Sequence, residues 1–272
     1  MELKKLKGLV IATISLFLIL LAVFFLGKLG FGLSEEIINW ATPGISWLAG
    51  GLCLYLANWD VVPERHRVAW IAFGLGEFAY GLGDLWCPIL EYSNLWLNLP
   101  DIYDLFYVLF YICFSVGFMN FTLHFHKSAK DVYKNLVKCG LGTILISSVL
   151  LLVLYRIAMP QFVFLPTYTF WVSFAYVVFD IFLVIWALFN MGLVLECARE
   201  IKVIWGFMVA LFGIAMLFDI SFMIFLNEYL PEIGASVIDI GWMSMHLFVA
   251  LSALHYGECI QKIDLACKLQ SM

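Results

Sequence analysis

Charge is what this sequence has least of. Asp, Glu, Lys and Arg make up 13% of its 272 residues, against 64% hydrophobic residues, whereas a soluble domain carries roughly 25% charged and 45–50% apolar residues. An ordinary soluble domain is excluded. The ten-residue apolar/polar alternation of a lipid-facing barrel is missing too. The apolar runs are instead about 20 residues long, enough to cross roughly 30 Å of hydrocarbon. The seven cysteines are scattered without a C-x-x-C pair, so neither a disulfide framework nor a Cys-rich zinc site is indicated. Lys and Arg do not gather into a nucleic-acid face, and no DNA or RNA partner follows. H-E-x-x-H, P-loop, G-x-S-x-G and Rossmann patterns are lacking, and no residue pattern names a cofactor. The first apolar run follows Lys4, Lys5 and Lys7 but has no small-x-small cleavage site, which makes it a retained anchor. No linker or composition shift divides residues 1–272, read as one integral membrane domain.

What is there is a series of long apolar runs. Eight transmembrane helices are expected, at 8–30, 44–62, 68–88, 102–123, 138–158, 169–195, 203–226 and 235–257. The fold class is therefore an all-α, polytopic membrane helical bundle with the lipid bilayer as its surroundings. With both termini in the cytoplasm, the short loops obey the positive-inside rule: of the 15 Lys and Arg residues, only Lys28 and Arg156 fall near the outer face. A multi-pass protein of the cell membrane is expected. After Gly257, Ile260, Ile263 and Cys267 recur at helical spacing, so residues 258–272 read as a short cytosolic juxtamembrane helix.

Trp70, Asp84 and Asp104 recur as Trp205, Asp219 and Asp239, at a common offset of 135 residues, close to half of the 272-residue chain. Duplication explains this: two halves, about 1–136 and 137–272, each of four spans. Both halves enter the membrane from the same side, so the 4+4 repeat is parallel, with its pseudo-twofold along the membrane normal.

Ionisable residues inside apolar spans are costly and mark functional sites. Trp70, Glu77 and Asp84 are spaced by seven with Tyr80 between the acids; Asp104, Tyr107 and Tyr111 align on the fourth span, Tyr176 and Asp180 on the sixth, and Asp239, Trp242 and His246 on the eighth. Residues three, four and seven apart share a helix face, and such faces belong toward the bundle interior. The expected ligand site is an outward-facing acidic cavity lined by Asp84, Asp104, Asp219 and Asp239, with Tyr80, Tyr107, Tyr111 and Trp242 as aromatic walls. Glu77, Asp180 and His246, nearer the midplane, form a candidate proton relay. A plainer set of roles competes. Asp104 and Asp239 stand where a carboxylate caps a helix N-terminus. Asp84 and Asp219 stand late in their helices, where capping fails and a hydrogen-bonded tie between helices remains. Tyr and Trp near span ends also serve as interfacial belts.

Gly81-Leu82-Gly83-Asp84 matches the GxGD element of presenilin-like and prepilin-peptidase-like intramembrane aspartyl proteases. That chemistry requires a second carboxylate near enough to share a proton; Asp60 lies at the opposite end of its span and the Pro-Ala-Leu element is missing, so an enzyme is not expected. His124-x-His126 has metal-ligand character, but polar helix ends beside Lys-rich loops commonly carry His, and no metal site is assigned.

The segment Pro100-Asp101-Ile102-Tyr103-Asp104-Leu105-Phe106-Tyr107-Val108-Leu109-Phe110-Tyr111, with the Gly83-Asp84-x-Trp86 end of the preceding span, resembles the N-terminal multi-span sensory module of archaeal and bacterial histidine kinases and GGDEF-type diguanylate cyclases. The resemblance implies a non-enzymatic membrane sensor. Family members continue into cytosolic output domains, for which residues 258–272 are too short, so signalling through a cytosolic or membrane partner in trans is implied. The expected function is a receptor-like protein binding a cation, a proton or a small amine-bearing ligand. A small secondary transporter or proton-coupled carrier is the alternative, and an intramembrane aspartyl protease the third.

Overall fold

The computed structural model describes residues 2–28, 35–93, 102–125, 129–158, 167–193, 199–225 and 232–270. These form eight α-helices: α1 Glu2–Lys28, α2 Glu35–Ala57, α3 Glu64–Ser93, α4 Ile102–Phe125, α5 Ala129–Ala158, α6 Thr167–Leu193, α7 Arg199–Phe225 and α8 Glu232–Gln270. Each expected span is represented by one helix, but the boundaries move, and three helices show why. α2 starts before Pro43 and α3 runs through Pro88. A proline removes a single intrahelical N–H, a loss that a helix packed among neighbours tolerates. α2 ends earlier than its hydropathy suggests, because Asn58 N–H donates to the Tyr55 carbonyl at 3.2 Å and Trp59 N–H to that of Leu56 at 3.1 Å, closing a turn. α8 is the third case. At 39 residues it is about 58 Å long, so residues 258–270 extend it and are no separate helix.

Among the described residues, five helices contain a stretch long and apolar enough to cross a membrane: Leu3–Val23, Ile102–Leu123, Tyr133–Val153, Trp171–Gly192 and Lys202–Met223; α2 adds a shorter apolar segment, Thr42–Ala57. α3 falls short by composition because it carries Glu77 and Asp84. Its surface nevertheless matches the others. Val68, Ile71, Leu75 and Leu82 form an exposed apolar stripe on α3, as Leu105, Leu109, Ile112 and Val116 do on α4 and Leu141, Ile144, Leu145, Val149 and Leu152 on α5. Water would penalise such stripes by about 25 cal/mol per Å²; a hydrocarbon surrounding removes that penalty.

α3 packs against α4 and α2, α7 against α8 and α6, α1 against α2 and α8, and α5 against α6. α8 is the inner helix: none of its residues from Ile240 to Ile260 is exposed. α2 and α3 approach most closely where two glycines meet. A Cβ added to Gly74 would lie 2.8 Å from Leu54 Cγ and 3.0 Å from the Gly50 carbonyl, and one added to Gly50 would lie 2.9 Å from the Gly74 carbonyl. Small residues at such contacts let two backbones touch. Gly74→Val is therefore expected to lower stability by about 1–3 kcal/mol through overpacking. Gly51→Ala, one residue from Gly50 and with open space around its Cβ, is expected to raise it by about 0.5–1 kcal/mol. Thermal unfolding of both variants in micelles, read by intrinsic fluorescence, checks the pair; equal shifts in one direction would contradict the contact.

Candidate functional site: a buried acidic and aromatic network

The stripes anticipated on α3, α4, α6 and α8 face one another, together with Asp219 of α7, in the half of the bundle where α3 ends and α4 begins. Geometry follows from periodicity. Glu77, Tyr80 and Asp84 lie opposite the exposed Leu75 and Leu82 of α3, and Tyr111 opposite Leu109 of α4, so the apolar face that meets the surroundings forces the polar face inward.

Tyr107 Oη donates to Asp84 Oδ1 at 2.9 Å, and Trp242 Nε1 donates to Asp219 Oδ1 at 2.9 Å. In each case the donor sits on the next helix, 23 residues after the acceptor. Tyr111 Oη donates to Asp180 Oδ1 at 2.9 Å across α4 and α6, and Tyr176 donates to Asp104 across the same pair of helices. His246 Nδ1 lies 2.6 Å from Glu77 Oε2, and both side chains are 0% exposed. Ser46 of α2 donates to the Glu77 backbone carbonyl at 2.5 Å and lies 3.3 Å from Oε2. Asp180 and Asp219 stand at one level of α6 and α7, where Val177 and Ile181 pack with Met216, Ile220 and Met223, and their carboxyls interact electrostatically. Asp180 is fully buried; Asp219 keeps a partly exposed edge though protein surrounds it densely.

Tyr80 links these contacts. Its ring centroid is 4.9 Å from that of Tyr107, 4.7 Å from His246 and 5.2 Å from Phe110, within electrostatic range of Asp84, Asp219, Asp180 and Glu77. Within this network three atoms of fully buried side chains have no hydrogen-bond partner among the described residues: Glu77 Oε1, Asp180 Oδ2 and His246 Nε2. Burying an unpaired polar group costs free energy, so these atoms mark where a proton or another polar group would be most welcome. No group of three or more His, Cys, Asp or Glu side chains among the described residues is placed to hold a metal ion.

Of the residues expected from sequence, Asp84, Asp104, Asp219, Tyr80, Tyr107, Tyr111, Trp242, Glu77, Asp180 and His246 come together. The side chain of Asp239 lies outside the described residues, as do His124 and His126. Two expectations change in detail. The lining and the relay are one network, since Tyr111 of the lining bonds Asp180 of the relay and Tyr80 packs against His246. And Asp84, the GxGD aspartate, accepts from Tyr107 of the next helix. Its glycines have a packing cause: a Cβ on Gly81 would strike the Trp47 indole, and one on Gly83 would come 2.7 Å from Tyr107 Cε1. Asp104, in the first turn of α4, both meets the favourable helix dipole and accepts from Tyr176. Ser46 was missed because a serine in an apolar helix carries no sequence signal, and Tyr176, although in register with Asp180, was not included.

Beyond Glu77 the interior becomes aromatic. Phe73 stacks near Phe114 (4.9 Å), Phe118 near Trp205 (5.1 Å), Trp70 near Tyr256 (5.3 Å) and Phe121 near Trp205 (5.7 Å). All these side chains are buried. The next polar pair, His66 Nδ1 to Tyr256 Oη at 2.6 Å, lies eleven residues before Glu77 on α3, about 16 Å along the axis. No family model, curated protein or solved structure matches the chain.

Proposed function

We propose that the protein is a sensor-like membrane module of eight spanning helices that binds a proton, a small cation or an amine-bearing ligand in the acidic and aromatic network. One observation carries the reading: five carboxyls, Glu77, Asp84, Asp104, Asp180 and Asp219, share a network whose one imidazole is His246. At an effective dielectric of about 20, two like charges 4 Å apart repel by about 4 kcal/mol. Among the described residues, Glu77, Asp180 and Asp219 ionised together would set three negative charges against one imidazolium, an excess that a proton or cation relieves. The faces of Tyr80, Tyr107, Tyr111 and Trp242 suit a cation.

The reading includes two parallel four-helix halves, 1–136 and 137–272. At the offset of 135, Tyr107 corresponds to Trp242, Tyr111 to His246 and Phe121 to Tyr256. The Tyr107–Asp84 and Trp242–Asp219 bonds are then one bond made twice, and the buried Trp70 and Trp205 are one residue repeated. With the positive-inside orientation the network opens outward, and the aromatic layer closes it toward the cytosol. A site reachable from one side fits a receptor, in which a ligand acts by its difference in affinity for two helix arrangements and a partner in trans reads the change. A carrier would have to part that layer in each cycle.

The test uses the protein in lipid nanodiscs, with Trp emission followed against pH, sodium and ethanolamine, and native mass spectrometry for retained small molecules. A saturable response to one of these, lost in Asp84→Asn and Asp219→Asn, is expected. No response to any of them would remove the reading. Stoichiometric flux of the same species into sealed liposomes would establish the carrier instead. The Asp180–Asp219 contact favours a second reading, intramembrane aspartyl hydrolysis, although Tyr111 and Trp242 each occupy one oxygen of the pair. Cleavage of a transmembrane peptide that stops in Asp180→Asn would establish it.

A further inference from the structure

We propose that Asp180 of α6 and Asp219 of α7 form the site at which the network takes up a single proton, held between the two carboxyls, and that this proton fastens α6 to α7. The inference rests on the sensor reading and names its occupant.

Four oxygens define the site. Asp180 Oδ1 accepts from Tyr111 Oη and Asp219 Oδ1 from Trp242 Nε1, both at 2.9 Å. Asp180 Oδ2, on a side chain with 0% exposure, has no donor, and Asp219 stands at the same level of the neighbouring helix, where Val177 and Ile181 pack with Met216, Ile220 and Met223 and the two carboxyls interact. Two carboxylates side by side cannot both be acceptors in that contact; one must carry a hydrogen. The two external donors favour the remaining negative charge, one on each side chain, so the pair is balanced for one proton and not two.

Among the described residues no cationic side chain other than His246 faces the pair. From α4 come Tyr111 and, through Tyr176, Asp104; from α3, Tyr80, Asp84 and Glu77; from α8, Trp242 and His246. His246 turns its Nδ1 to Glu77. The α5 side is apolar: Leu150 and Leu151 pack with Phe174, Val177 and Ile181 of α6 and Met223 of α7. α6 holds no Lys or Arg, and those of α7, Arg199 and Lys202, stand at its opposite end. No third ligand completes a metal site among the described residues. A single proton shared between the two carboxyls needs no further ligand, whereas a metal ion would need several more oxygens. Its loss places two like charges together on neighbouring helices that otherwise meet through apolar contacts, so α6 and α7 separate at this level. That displacement is what a sensor would transmit.

Infrared spectroscopy of the full chain in nanodiscs at neutral pH tests this. A protonated carboxylic acid gives a carbonyl stretch above the amide I band that shifts in deuterium oxide. The band is expected in the unmodified protein, absent in Asp180→Asn and in Asp219→Asn, and retained in Glu77→Gln. Should the variants fail to fold, unmodified protein labelled with carbon-13 at the aspartate side-chain carboxyl answers the same question, because the label moves the band only if an aspartate holds the proton. A band that survives both Asn variants and disappears in Asp84→Asn or Asp104→Asn overturns this site while leaving the sensor reading intact. An unmoved band in the labelled protein assigns the proton to Glu77, with the same consequence. No band, together with a sodium-dependent change in Trp emission, would make the occupant a metal ion and overturn the proton. No band and no response to any ion would sink both.

Discussion

Replacing His246 with alanine is expected to lower the stability of the protein by about 3–5 kcal/mol, the cost of leaving a buried charge without its partner. Glu77 and His246 are both fully buried and 2.6 Å apart. Glu77 Oε1 has no other partner among the described residues, and the Ser46 hydroxyl is directed mainly to the Glu77 backbone carbonyl. Nothing nearby can take over. The magnitude also distinguishes two states of the pair. A loss of about 1–3 kcal/mol is that of a neutral buried hydrogen bond, whereas the larger figure requires an ion pair. Glu77→Gln added to His246→Ala removes the stranded charge and should recover much of the loss. Reversible denaturant titration in mixed micelles gives the three free energies. A His246→Ala penalty below about 1 kcal/mol, the range of exposed pairs, would mean that Glu77 reaches water.

Trp205→Ala is expected to cost about 3–5 kcal/mol, as for other buried aromatic deletions, and to open the aromatic layer. Trp205 is 2% exposed and packs edge-on against Phe118 and Phe121, so its removal leaves a void between α7 and α4 that rigid helices cannot collapse. If the layer closes the acidic network from the other end, sealed liposomes carrying this variant should leak protons faster than those carrying the unmodified protein. Trp70→Ala, at the corresponding position of the first half, should behave alike in both measurements. An unchanged leak with the stability loss present would leave Trp205 a packing residue and remove the barrier role of the layer.

Much of this was legible beforehand for a simple reason. Burial in a bundle with an apolar exterior depends on one periodicity, and Glu77, Tyr80 and Asp84, or Asp104, Tyr107 and Tyr111, keep that period within a single helix. Helix ends were less legible. The turn after Ala57 depends on backbone bonds that hydropathy does not register, and α8 continues past Gly257 because nothing in its polar extension breaks a helix. The GxGD spelling shows a different limit of the sequence: glycines that admit the rings of Trp47 and Tyr107 are spelled like glycines that serve catalysis, and spelling alone does not separate the two.

The amino-acid sequence by itself determined that this is an all-helical chain with several helices suited to a membrane, and which face of each carries the acids, since composition and spacing are properties of single segments. Only the tertiary structure decided that Asp84 meets Tyr107, that Glu77 meets His246, and that Asp180 lies beside Asp219. Those pairings depend on the rotation and depth of one helix against another, which side-chain shape and close glycine contacts set across segments far apart in the chain.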